Sequence, residues 1–181
     1  MAKWKSSPNL VWMDLEMSGL DPEKDVILEI ATIVTDANLK ILAEGPVLAV
    51  HHTENIFEGM DDWNTRHHTQ SGLVDRCRKS KLTIEDSEKM VMDFIKPYTE
   101  KGGNLLCGNS ITQDRRFIYK YMPKLSLWLN YRNIDVSSIK ELSFRWYPNL
   151  PEFQKMENHQ ALDDIRESIA ELEYYRKTIF K

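Results

Sequence analysis

Val26 to Val34, VILEIATIV, is the segment that most narrows what this chain can become. It is rich in β-branched residues and suits a buried strand. Leu10–Met13 is a second short apolar run, and it meets Asp14. Leu39 to Val50 reads as a third strand with Gly45-Pro46 as a break or edge feature. Three strands in succession predict an antiparallel meander. The pattern then turns helical. Thr83 and the acids after it open a helix whose apolar positions are Met90, Val91, Phe94 and Ile95, and Gly102-Gly103 is expected to end it. Leu105–Cys107 reads as a short buried strand. It leads through Gly108-Asn109-Ser110 into a helix marked by Phe117, Ile118 and Tyr121. Asn133–Val136 is a further strand, and Ser138 with Glu141 suits a capping box for the next helix. Leu162, Ile165, Ile169 and Leu172 form the stripe of a final helix. Strands first and strand–helix units afterwards predict an α/β fold: a mixed β-sheet flanked by α-helices. With 181 residues and no repeat or linker, residues 1–181 are expected to form a single domain.

Charge narrows the function. The net charge is −4, which argues against a protein that coats long nucleic acid through a basic stripe. An enzyme whose metal ions neutralise one or two phosphates need not be basic, so nucleotide substrates, if any, should be short. Cys77 and Cys107 are too few for a disulfide framework and are expected to be reduced and structural, in a cytoplasmic protein. No leader and no apolar run of membrane-spanning length is visible, so no membrane partner is expected.

Three places carry chemistry. Asp14 and Glu16 close an apolar strand at i and i+2, so both point to one face, and neighbouring carboxylates of this kind are commonly relieved by a divalent cation. A solvated loop start fits the same pair. Asp114 stands one turn into the helix after a buried strand, where a site acid or a dipole-satisfying acid is equally at home. His159 precedes Asp163 and Asp164 at the entrance of the last helix. With Ile165 at the centre of the apolar stripe, Asp164 lies about 100° from that centre and Asp163 about 160°, so Asp164 can reach a site at the core edge while Asp163 faces solvent. A loop-borne imidazole suits a general base, or a surface residue.

Taken together, D-x-E at Asp14 and Glu16, Asp114, and H-x-A-x-x-D at His159, Ala161 and Asp164 resemble the DEDD exonuclease superfamily in its histidine-containing subgroup. The segments WMDLEMSGLDP, AEGP, MDDWN, CGNSITQDRRF, YMP and HQALDDIRES are similar to the oligoribonuclease family within it. The resemblance implies an RNase H-like exonuclease domain with two divalent ions, Mg²⁺ or Mn²⁺. Asp14 would serve both ions, Glu16 and Asp164 the first, and Asp114 the second, with His159 activating water. It implies 3′→5′ hydrolysis of very short single-stranded RNA, dinucleotides foremost, to 5′-mononucleotides. It also implies that Leu20 wedges between two bases, that Trp63 stacks on them, and that His68, Ser110 and Arg132 surround the 5′ phosphate. Tyr131 would come from the neighbouring subunit of a homodimer. Since Tyr131 and Arg132 are adjacent, alternation along an extended chain would point them opposite ways. A DNA-directed member of the same subgroup and a non-catalytic RNA-binding module are the alternatives. A zinc hydrolase built on His51-His52 or His67-His68 is set aside, because adjacent histidines chelate poorly and no H-E-x-x-H pattern exists.

Overall fold

A computed structural model describes residues 8–154 and 161–180. β1 (Leu10–Met17) and β2 (Ile27–Thr35) pair antiparallel over their whole length, from Leu10 opposite Thr35 to Met17 opposite Ile27. All nine residues of β2 are buried, as the apolar run demands. The segment read as one third strand is two, β3 (Ile41–Glu44) and β4 (Leu48–Ala49), with Gly45-Pro46 in the interruption; both lie antiparallel to β2. Three short helices follow: α1 (Glu54–Glu58), α2 (Asp62–Gln70) and α3 (Leu73–Lys79).

α4 (Ile84–Ile95) starts at a capping box, in which the Thr83 hydroxyl accepts from Asp86 N and the Asp86 carboxylate accepts from Thr83 N. It ends sooner than Gly102-Gly103 would dictate. Pro97 has no N–H to continue the ladder, and Lys96–Tyr98 tightens into a 3₁₀ turn. β5 (Leu106–Gly108) leads into α5 (Thr112–Tyr121) and α6 (Pro123–Trp128). After β6 (Asn133–Asp135), α7 (Val136–Trp146) begins earlier than the expected Ser138 cap: Asp135 is its N-cap and accepts from Ser137 N. The last helix is α8 (Ala161–Thr178).

The sheet runs β3-β2-β1-β5-β6, with β4 also on β2. β5 and β6 lie parallel to β1 and to each other, so the sheet is mixed. Alternation along β1 divides the core. Val11, Met13 and Leu15 pack with Val91, Ile95, Phe117 and Leu125 of α4, α5 and α6. Trp12 turns to the other side and packs with Ile165 and Ile169 of α8 and Val136 of α7; its indole N–H donates to the Thr35 hydroxyl at 3.0 Å. By the same alternation Asp14 and Glu16 follow Trp12 onto the α8 side, which places two carboxylates where α8 begins. No helix among the described residues is long and apolar enough to cross a membrane.

Candidate metal centre and substrate site

β1 and α8 bring the first three acids together. One carboxylate oxygen each from Asp14, Glu16 and Asp164 lies within 4.8 Å of the others. Asp163 turns aside and pairs with Arg166 at 2.6 Å. Asp114 arrives from the opposite face. β5 pairs with β1 only at Val11 and Trp12, and further along β1 the Leu15 N–H donates to Asp114 Oδ1 at 3.0 Å. That bond sets a 6%-exposed carboxylate beside the end of the strand that carries Asp14 and Glu16.

Electrostatics show the strain of this arrangement without cations. Burial, then the charges of Asp164, Glu29 and Asp114, push Glu16 up to about 7, against a smaller opposing pull from Arg76. Burial and then Asp14 push Asp114 up to about 8, opposed by the Leu15 hydrogen bond. Glu29 is directly cross-strand from Glu16 and buried; Arg76 grips it with two 3.0 Å bonds. Neither Glu29 nor Arg76 stands out in the sequence, because the pair is formed across 47 residues. Oxygen donors this close and this reluctant to ionise fit hard divalent cations, which restore the missing positive charge.

α2 lies over the end of β1. His68 is 1% exposed, and its Nε2 sits 2.9 Å from the Met17 carbonyl, so that nitrogen donates. Its Nδ1 is buried and lies 3.9 Å from Glu16 Oε2. His68, expected at the phosphate with Ser110 and Arg132, has Nδ1 beside Glu16, and only that nitrogen is left to meet a ligand. His67 shares the group with Glu16 and His68, and Trp63, exposed by 65%, stacks on the His67 ring at 4.8 Å. The indole is thus exposed on the helix whose His68 faces Glu16.

Leu20 projects from the loop after β1 and is 69% exposed. Beneath it, the Asp25 carboxylate accepts from the Ser18 hydroxyl and from Asp21 N. A Cβ at Gly19 would fall 2.4 Å from Asp25 Oδ2. Gly19→Ala should therefore expel that carboxylate and lower stability by about 1–3 kcal/mol. Thermal unfolding measures the effect; an unchanged midpoint would show the loop to be plastic.

Ser110 has φ +50°, a left-handed conformation rare outside glycine. It is held there by its N–H, which donates to Asp135 Oδ1 and Ser137 Oγ at 3.0 Å each, while its own Oγ is 3.2 Å from Ser137 Oγ. Ser137 donates in turn to Asn109, whose amide reaches Ser168 and Glu171 of α8. Ser137 and Asn109 thus hold the Ser110 turn, and neither carries a signal in the sequence. Tyr131 is 75% exposed, in the bend before β6. The alternation expected for it and Arg132 fails there, because neither is in an extended strand; the Arg132 guanidinium lies over the Tyr131 ring at 5.0 Å. His159 lies outside the described residues.

An exonuclease family model, RNase T, matches residues 11–172. The oligoribonuclease of Vibrio parahaemolyticus is 58% identical over 177 residues, 97% of this chain and 98% of that one. That of Pseudomonas aeruginosa is 55% identical, over 96% and 97%. Among solved structures, exonuclease I from Methylocaldum szegediense superposes with TM-score 0.72 at 17% identity, and E. coli exonuclease I in complex with a dT13 oligonucleotide with 0.72 at 14%. This chain spans 41–42% of those longer proteins, and the likeness establishes the RNase H-like fold. With the match to the exonuclease model and near full-length identity above one half to oligoribonucleases, the chain belongs to the oligoribonuclease family of exonucleases.

Proposed function

We propose that this chain is one exonuclease domain that removes 5′-mononucleotides from the 3′ end of very short RNA, with the dinucleotide as its preferred substrate. The observation that carries the reading is the meeting of Asp14, Glu16 and Asp164 within 4.8 Å, beside a strand end bonded to Asp114, in a chain more than half identical to oligoribonucleases. Those four carboxylates would hold two divalent ions, for which Mg²⁺ and Mn²⁺ both suit the all-oxygen donor set. When bound, such ions lower the pKa of water and offset charge on the phosphate and the departing oxygen.

The chain's own groups do the rest. The His159 imidazole takes the proton of the attacking water. Leu20 separates the two bases and Trp63 stacks on one, contacts that tolerate any base because every base has an apolar face. The Arg132 guanidinium and the Ser110 hydroxyl, with its neighbour Ser137, close on the 5′ phosphate, and we assign His68 to the same group, its Nδ1 donating only when the ring is doubly protonated. We assign Tyr131 to the site of a second subunit. Tyr131 and Trp146 are large aromatic side chains left mostly exposed, in support of a homodimer. The two buried free thiols fit a cytoplasmic protein.

Closing on a 5′ phosphate disfavours longer chains. In a series of RNAs from two to about seven nucleotides with Mg²⁺, the dinucleotide should turn over at least about tenfold faster than the longest, the worth of one charge-assisted phosphate contact. Equal rates along the series would remove the phosphate cap, and preference for a deoxy oligomer would overturn the RNA assignment.

A further inference from the structure

Leu20 carries an exposed apolar tip on a loop, and something must hold it still. The side chain has little packing of its own, so the loop backbone has to be fixed from elsewhere. Helix α5 does this through carbonyls. Gln113 Nε2 donates to the Leu20 carbonyl at 2.5 Å. Arg116 Nη1 donates to Gln113 Oε1 at 2.8 Å and reaches the same Leu20 carbonyl at 3.4 Å. Because a guanidinium only donates, the Gln113 atom it meets is the oxygen, and the amide NH₂ is left facing Leu20. Two turns on, Lys120 Nζ and the Tyr121 hydroxyl bond the Pro22 carbonyl, and Tyr121 also donates to the Asp25 carbonyl at 2.7 Å. Loop 18–25 is thereby stitched to one face of α5.

The residue after Gln113 is Asp114, whose Oδ1 accepts from Leu15 N in β1. Consecutive residues of one helix thus fasten the carboxylate centre and the tip that meets the bases. We infer that Gln113 and Arg116 are positioning residues that set the spacing between Leu20 and the metal carboxylates, and so confer preference for substrates with two bases. The inference rests on the reading of Leu20 as the base wedge. Its physical content is preorganisation: a wedge already fixed at the correct distance costs no ordering when the bases arrive. Without the clamp Leu20 remains present, but the dinucleotide must order the loop itself.

The test compares a ribodinucleotide with the same molecule made abasic at its 5′ residue, which offers the wedge no second base. Parent, Gln113→Ala, Arg116→Ala, their double variant and Leu20→Ala are assayed in saturating Mg²⁺. In the double variant the dinucleotide KM should rise about tenfold, with kcat and the Mg²⁺ requirement within twofold of the parent, while the abasic substrate is cleaved as before. The single variants should fall between, which also guards against misfolding of the double. Equal losses on both substrates would make the residues general supports of Asp114 and overturn the inference; no loss on either would make the clamp idle and overturn it as well. Leu20→Ala separates the two claims. If it lowers the two-base preference and the double variant does not, the clamp alone falls; if it leaves that preference intact, the wedge reading fails and takes the clamp with it.

Discussion

Asp114→Asn is expected to lower ribodinucleotide turnover about a thousandfold or more while leaving the metal-free protein as stable as its parent, or more so. The activity loss follows from charge. A metal ion contributes several kcal/mol of transition-state stabilisation, and about 4 kcal/mol corresponds to three powers of ten. A neutral amide at position 114 forfeits much of the attraction that seats such an ion. The stability gain follows from the same burial. Asp114 is 6% exposed, and burial followed by the nearby Asp14 charge pushes it up to about 8, so folding at neutral pH must either bury an anion or take up a proton. Asn does neither, and its carbonyl oxygen can still accept the 3.0 Å bond from Leu15 N. Steady-state turnover in Mg²⁺ together with thermal unfolding in a chelator reads both halves. Activity within tenfold of the parent would remove Asp114 from the centre; a large drop in melting temperature would make it a structural acid.

Asp114 also marks where sequence reading succeeds and where it stops. The buried strand, the hydroxyl cap at Thr83 and the stripe of α8 were legible because each is a local preference: β-branching, a capping side chain, a helical period. The pairing of Asp14 with Glu16 was legible for the same reason, since strand alternation alone puts them on one face. Local signals also misled. Gly102-Gly103 is a conspicuous helix stop, yet Pro97 acts first. Ser138 with Glu141 has the spacing of a capping box, but Asp135 is two bonds better placed, serving both α7 and Ser110. No local pattern announces the three short helices between Glu54 and Lys79. α2 is a nearly wholly polar segment, DWNTRHHTQ, with no stripe to read, and it is held in place by what it touches, such as the His68 contact with Met17. Least legible were partners distant in sequence: Gln113 and Leu20 stand 93 residues apart, and Arg76 and Glu29 47. Neither pair has a pattern until the chain is folded, and both bear on the spacing or the charge of the carboxylate centre.

The same carboxylates are expected to make stability depend on pH in an unusual direction. In the unfolded chain Glu16 and Asp114 titrate near the ordinary values of about 4.3 and 3.9; in the folded, metal-free chain they are pushed up to about 7 and about 8, by burial first and neighbouring acids second. The folded state therefore binds more protons, and stability is greatest below the unfolded values and is lost as pH rises through the folded ones. Half-buried His52 and buried His68 pull the opposite way at the acid end, since desolvation lowers both, but their effect is complete above the ordinary histidine range of about 6.5. The falling limb should thus stand clear from about pH 6.5 to 8.5, where the melting temperature in chelator is expected to drop on the order of 5 °C. Divalent ions bind the ionised carboxylates, so saturating Mg²⁺ should flatten that limb, stabilise more at pH 8 than at pH 6, and release protons on binding at pH 6.5. Melting curves across this range with and without Mg²⁺, and calorimetry in two buffers of different ionisation enthalpy, measure the slope and the protons. A metal-free melting temperature that stays level or climbs between pH 6.5 and 8.5 would mean that these side chains are already ionised in the folded chain, and that their crowding is relieved by something other than a bound cation.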